Sequence, residues 1–175
     1  MNQFRARRVD NVLNILGEGI DRDRVLEALS MPDSGLHYHF YDGWPKNVDY
    51  KGLAFVGDAT AGKILGMKGY HAGLTPGVMD ARRQQILANG NLARICDAMG
   101  LTPCIILSPA QNGPISDRVK AGIVEALIAA ADISDGLTMA ERVMERLGID
   151  SCKYAAASKV AREGDSSALP EKDLM

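Results

Sequence analysis

The hydrophobic positions at the start of the chain predict two helices. Between residues 3 and 16, apolar side chains recur at three- and four-residue intervals, and Gly17 ends the run. A second, shorter helix is predicted to follow, with Asp21 or Asp23 as its N-cap. We interpret residues 1–31 as a helical pair that covers the domain or forms a dimer contact.

Short apolar runs bounded by turn residues predict strands farther along. Four such strands are predicted at residues 36–41, 53–56, 70–74 and 103–107, of which the second ends at a glycine and the fourth is the clearest buried strand. A fifth strand is predicted around residues 153–157.

Helical spacing fills the intervals between these strands. Residues 77–99 are predicted to be helical with a division near Gly90, and Ser116 or Asp117 caps the next helix. The alternation of strands and helices predicts an α/β fold, namely a single-domain three-layer sandwich with a mostly parallel sheet. Residues 1–165 would form this domain, and the polar residues 166–175 a flexible tail.

Composition narrows the class of partner. The chain has 175 residues, the size of one domain, and a formal net charge of −2, which argues against nucleic acid as the main partner. It has no apolar run of membrane-spanning length, so no membrane partner is expected. Three scattered cysteines without metal-site spacing fit a reduced compartment, and we expect a cytoplasmic protein.

The most concentrated functional signal is a glycine-bounded turn after the second predicted strand. The pattern G-x-x-x-x-G-K runs from Gly57 to Lys63, and its two glycines, Gly57 and Gly62, allow backbone amides to converge on phosphate. Lys63 would add charge, and Thr60 a hydroxyl. The turn resembles the Walker A loop of P-loop NTPases, although Ile64 replaces the Ser or Thr of that family. The alternative is a plain strand-to-helix turn.

Other polar residues follow predicted strands and extend this candidate site. His71, Arg82 and Arg83 could bind a phosphate or carboxylate, and Ser108 and Asn112 could contact a nucleotide. Solvated helix faces and ordinary loop turns are the alternative interpretation of these residues.

A short segment resembles a known family. Asp33-Ser34-Gly35-Leu36 is similar to the Asp-Ser-Gly-Leu step of nucleoside-triphosphate pyrophosphatases. It is also similar to a relative of that fold, the guanylyltransferase of iron-guanylylpyridinol cofactor biosynthesis. The resemblance implies a nucleotide ligand and places Asp33 at a magnesium site.

The leading hypothesis is an enzyme that acts on a nucleotide or a small phosphorylated ligand, by nucleotidyl transfer or diphosphate cleavage. Asp58, Lys63 and His71 are the catalytic candidates, and Asp58 with Asp33 would bind Mg²⁺. Two alternatives stay open: a non-catalytic cofactor-sensing or interaction module, and a small lyase or transferase that uses His71 on a carboxylate substrate. We expect a homodimer.

Overall fold

The chain is built almost entirely from helices that pack on one another. The computed structural model describes residues 3–39 and 45–149. Its helices are α1 (Gln3–Leu16), α2 (Arg22–Leu29), α3 (Tyr50–His71), α4 (Pro76–Ile86), α5 (Asn89–Ala98) and α6 (Asp117–Arg146), with a 3-10 turn at Thr102–Cys104. Within the described ranges, the only sheet is an antiparallel pair of three-residue strands, β1 (His37–His39) and β2 (Pro45–Asn47).

Helix α6 forms the centre of the core. Every residue from 121 to 131 is buried except Glu125, which is half-buried. Helices α3 and α5 pack along α6, and α2 also contacts it. From α1 and α2, Val9, Val12 and Leu29 are completely buried, so the N-terminal helical pair contributes to the core as well as covering it.

Glycines allow α3 and α6 to approach closely. A Cβ atom built on Gly57 of α3 would lie 1.8 Å from the carbonyl oxygen of Glu125 on α6. On α6, a Cβ atom on Gly122 would lie 2.5 Å from the Cε2 atom of Tyr50. At these points one helix backbone touches the other, or an aromatic ring, because the glycines have no side chain.

The predicted helix boundaries at the N-terminus are confirmed. Helix α1 ends at Leu16, directly before Gly17. The Asp21 carboxylate caps α2 by accepting hydrogen bonds from the backbone amides of Asp23 and Arg24, at 2.7 and 3.1 Å.

Two later helix predictions are also confirmed. The Ser116 hydroxyl caps α6 by accepting a hydrogen bond from the Val119 amide. Residues 77–99 divide into α4 and α5 as expected, with the division at residues 87–88.

The predicted α/β sandwich with a mostly parallel sheet is wrong. Residues 53–56 lie inside α3, and most of the predicted strand 70–74 is the end of that helix and the turn after it. Residues 103–107 begin in the 3-10 turn, and Ile106 forms a single parallel bridge with Ser30. Of the four predicted strands within the described residues, only 36–41 contains a real one. The predicted strand at 153–157 and the predicted tail at 166–175 lie outside the described residues.

Helix α6 contains a local break near its C-terminal third. Gly136 has φ 77° and ψ −176°, and Asp135 before it is also non-helical. The first of these conformations is essentially restricted to glycine. In the part of the chain that the structure describes, no helix is both long enough and apolar enough to span a bilayer.

Candidate active site

The glycine-bounded turn is not a loop, so the phosphate cradle proposed for it does not exist. Residues 57–63 occupy the middle of α3, which runs without interruption from Tyr50 to His71. In the interior of an α-helix, each backbone N–H donates to the carbonyl four residues earlier and cannot converge on an anion. The resemblance to a Walker A loop is therefore wrong. Lys63 lies on the exposed side of this helix.

Three other residues of that segment have packing roles. Gly57 contacts the backbone of Glu125, as described above. The hydroxyl of Thr60, which is buried, donates a 2.7 Å hydrogen bond to the carboxylate of Asp132 on α6. Gly62 lies beside the side chain of Arg83, whose Cδ atom would be 3.5 Å from an added Cβ.

The polar residues assigned to strand ends are dispersed over the surface. His71 is exposed at the end of α3, where its ring contacts the edge of Tyr70 with centroids 5.6 Å apart. The Ser108 hydroxyl accepts a hydrogen bond from the Ala110 amide within a local turn. Asn112 is exposed and donates to the Ala110 carbonyl at 3.4 Å. These positions do not form a nucleotide pocket.

The two remaining groups of candidates lie on different elements. Asp33 is exposed, with φ 58°, in the turn after α2. Arg82 and Arg83 are half-buried on α4, and the guanidinium of Arg83 is 3.9 Å from the carboxylate of Asp58. An ion pair therefore joins two side chains of the predicted site, Asp58 and Arg83.

A pair of carboxylates stands where α3 crosses α6. Asp58 is half exposed on α3, and Glu125 is half-buried on α6. Burial raises the pKa of the Glu125 carboxyl, and the nearby negative charge of Asp58 raises it further, to about 7. Without a metal, the Glu125 carboxyl therefore exchanges a proton near neutral pH.

A cavity of about 820 Å³ opens beside this carboxylate pair. It lies along the α3–α6 contact. All but one of its lining residues come from successive turns of α3 and α6, which place side chains on the same helix face. Its lining residues are Tyr50, Lys51, Ala54, Asn89, Arg118, Gly122 and Glu125. Asp58 is outside this lining and lies one turn beyond Ala54 on α3, close enough to Glu125 for its charge to act on that carboxyl group.

The carboxylate pair is compatible with Mg²⁺ as a shared cation. Among the described residues, no group of three or more His, Cys, Asp or Glu side chains is placed to hold a metal. Mg²⁺ does not need such a cage, since it usually binds through one or two carboxylates, several waters and the phosphates of a substrate. Asp58 and Glu125 are the residues that would hold it here.

Comparison with known proteins shows similarity to a different family from the one suggested by Asp33-Ser34-Gly35-Leu36. Residues 51–136 match the family model of the ribonuclease III domain. The chain is also 26% identical, over 161 residues, to ribonuclease 3 of Bifidobacterium longum. That match covers 89% of this chain and 62% of the relative, so the chain spans less than two thirds of that protein's length.

Solved structures show the same fold. Two structures of the nuclease domain of ribonuclease III from Campylobacter jejuni resemble this chain at TM-scores of 0.64 and 0.62, with 21% and 20% identity. The matches cover 80% and 84% of this chain and 93% and 94% of those chains. The first is described as showing structural flexibility in the region involved in dimer formation.

These findings correct the functional hypotheses drawn from the sequence. The resemblance to the guanylyltransferase of iron-guanylylpyridinol cofactor biosynthesis is wrong, and so is the assignment to nucleotidyl transfer or diphosphate cleavage. The alternatives of a sensing module and of a His71-dependent lyase fail with it. The exclusion of nucleic acid as a partner is contradicted too. The expected Mg²⁺ agrees with the similarity, because ribonuclease III domains use Mg²⁺ for catalysis.

The sequence interpretation missed Glu125 and the residues around it. A usable signal was present, because Glu125 is the only charged residue in the apolar stretch from 121 to 131. A lone carboxylate in a helix that is otherwise buried on all sides needs either a partner or a function. The stretch was interpreted instead as an ordinary core helix.

Proposed function

We propose that this chain is a ribonuclease III-type nuclease domain that hydrolyses phosphodiester bonds in double-stranded RNA with the aid of Mg²⁺. The observation that carries the proposal is that the matched range, 51–136, contains both Asp58 and Glu125. These are the two carboxylates that meet at the α3–α6 contact beside the cavity. Ribonuclease 3 of B. longum, the similar protein, supports RNA as the substrate. We further propose a cytoplasmic location.

Each carboxylate has a separate task in this proposal. Asp58, half exposed, would place a carboxylate oxygen on the cation. Glu125 would bind the cation in its ionised form, and because its pKa is raised to about 7 the proton competes with the cation below that pH. Mg²⁺, when bound, supplies Lewis acidity that favours an attacking water and stabilises charge on the departing oxygen. Gly57 holds the two helices at the distance that brings the carboxylates together.

The test is hydrolysis of a labelled RNA duplex by the purified chain, with Mg²⁺ and with EDTA. Asp58→Asn and Glu125→Gln should each reduce cleavage by at least about 100-fold, as expected for a group that acts on the reacting atoms. Asp10→Asn and Glu145→Gln are matched controls on exposed helix positions and should cleave normally. A single-stranded RNA of the same sequence should be a poor substrate. Equal cleavage by wild type and both site variants would refute the proposal.

We also propose that two copies of the chain pair through the exposed face of α3. Phe55 is 82% exposed, an unusual state for a phenylalanine, and Val56 beside it is 39% exposed. Phe55 lies three residues before Asp58, so a second copy that covered Phe55 would stand next to the carboxylate pair. The C. jejuni nuclease domain, described in connection with dimer formation, supports the choice of a second copy as the occupant.

Light scattering after size-exclusion chromatography tests this pairing. Phe55→Ser should shift the chain from dimer toward monomer. Tyr70→Ser is the matched control, since Tyr70 is 71% exposed on the same helix near its other end. If both variants and the wild type have the same mass, Phe55 is not at the dimer contact.

A further inference from the structure

The cavity next to Glu125 contains more positive than negative side chains. Lys51 and Arg118 line it as cations, whereas Glu125 is its one carboxylate among the lining residues. Two carboxylates meet at one end of the site, but the rest of the cavity is suited to an anion. Its volume of about 820 Å³ is far more than a hydrated Mg²⁺ requires and is sufficient for a nucleotide-sized group.

The first turns of three helices surround this cationic part. Lys51 is in the first turn of α3, Asn89 begins α5, and Arg118 is in the first turn of α6. The N-terminal end of each helix carries a partial positive charge from the aligned peptide dipoles. No side chain caps the N-terminus of helix α5.

Tyr50 packs against α6 at Gly122, between Arg118 and Glu125. It is buried, and its ring lies against Gly122, where no larger residue fits. Arg118 and Glu125 both act electrostatically on its hydroxyl group, in opposite directions. On α6, Arg118, Gly122 and Glu125 follow one another at four- and three-residue intervals and so share one face. The anion side and the carboxylate side are therefore two ends of one continuous groove.

We propose that Lys51, Arg118 and Asn89 form a subsite for a backbone phosphate of the RNA, adjacent to the bond that is cleaved at Asp58 and Glu125. The proposal rests on the function proposed above and specifies how the substrate is held. The two cations neutralise the phosphate, and the Asn89 amide donates to one of its oxygens. Binding there positions the next phosphodiester bond at the carboxylate pair.

The first experiment measures binding without cleavage. The affinity of a short labelled RNA duplex is determined by fluorescence anisotropy in EDTA over a range of salt concentrations. The double variant Lys51→Gln, Arg118→Gln should bind about tenfold or more weakly, and its salt dependence should be shallower by about one to two units of slope. The control variant Arg7→Gln, Arg142→Gln removes the same two charges from exposed helix positions outside the cavity. It should bind nearly as wild type does.

A second experiment separates failure of the subsite from failure of the proposed function. Inorganic phosphate should raise the thermal unfolding temperature of the wild type and of the control variant, but not of the Lys51→Gln, Arg118→Gln variant. This result supports the subsite whether or not RNA is cleaved. Equal shifts in all three proteins, or no shift in the wild type, would overturn it. If the wild type cleaves duplex RNA and the Lys51→Gln, Arg118→Gln variant binds it with unchanged affinity and slope, only the subsite is refuted.

Discussion

At the scale of one residue, the folded chain disfavours ionisation of the Glu125 carboxyl. Glu125 is the one half-buried residue in the otherwise buried segment 121–131 of α6. Both its burial and the negative charge of Asp58 oppose its ionisation. Its folded-state pKa of about 7 lies above its ordinary value of 4.5. Between these two pH values, the folded chain therefore keeps a proton on Glu125 that the unfolded chain has released. As a result, this group's contribution to stability falls as pH rises from about 4.5 through 7.

Replacing Glu125 by Gln should therefore raise stability in alkaline, metal-free solution. In EDTA at pH 8 the variant should unfold at a higher denaturant concentration than the wild type, since it has no charge to bury. At pH 4 the two should differ little, because the wild-type carboxyl is then protonated in both states. Urea unfolding at the two pH values measures this difference. Glu145→Gln, on the exposed part of the same helix, should show no such pH dependence.

At the scale of secondary-structure elements, the close contact between α3 and α6 explains why no larger residue fits at Gly57. Its α-carbon stands against the Glu125 carbonyl, so the methyl group of an alanine would have to push α3 and α6 apart. Gly57→Ala should lower the free energy of unfolding by about 1–3 kcal/mol. Gly66 is a control on the same helix, with no atom within 4 Å of an added Cβ. Gly66→Ala should leave stability unchanged or raise it by up to about 1 kcal/mol. Equal effects of the two substitutions would contradict the close packing.

The break in α6 gives a second test at this scale. Because Gly136 has φ 77° and ψ −176°, alanine there should cost about 1–3 kcal/mol of unfolding free energy, although it meets no atom within 4 Å. The cost would come from the backbone alone. Denaturant unfolding of Gly136→Ala against Gly66→Ala measures it. A neutral Gly136→Ala variant would show that α6 can straighten without loss.

The same elements show what the sequence could predict. The N-terminal helix and the caps at Asp21 and Ser116 were predictable, because capping residues and helical spacing act locally. The run from Leu53 to Val56 was wrongly predicted to be a strand, because four consecutive apolar residues also occur in buried strands. In the structure, Leu53 is buried and Phe55 exposed, which follows helical geometry with an apolar outer face. The two glycines and the lysine of that helix match a phosphate-binding loop in their sequence spacing but not in their three-dimensional structure.

At the scale of the whole molecule, net charge was a poor guide to the partner. A value of −2 averages over a surface on which Lys51 and Arg118 line one cavity and many carboxylates lie elsewhere. Asp58 was a candidate from the sequence because it follows a glycine in a conspicuous pattern, and the phosphate loop inferred from that pattern was wrong. Glu125 and Arg118 lie about 60 residues later and join Asp58 only through helix packing. Spacing along the chain contains no information on that contact.

Magnesium binding should offset the effect that Glu125→Gln has in metal-free solution. A cation between Asp58 and Glu125 removes the repulsion that disfavours ionised Glu125, so it binds the folded chain and stabilises it by mass action. At 100 times its Kd the gain would be about 2.7 kcal/mol, and a chain of this size gains about 2–4 °C in Tm per kcal/mol. Calorimetric scans at pH 8 should show a rise of this order for wild type and little for Asp58→Asn or Glu125→Gln.

The shift should also shrink as pH falls below 7, because Mg²⁺ then competes with the proton on Glu125. One side chain would thus make the metal-free protein less stable than its Gln variant, and Mg²⁺ bound to the same side chain would offset that difference. A carboxylate that only filled space in α6 could not produce effects of opposite sign. If Mg²⁺ raises the Tm of all three proteins equally, the ion binds elsewhere, and the pair at the α3–α6 contact is not the metal site.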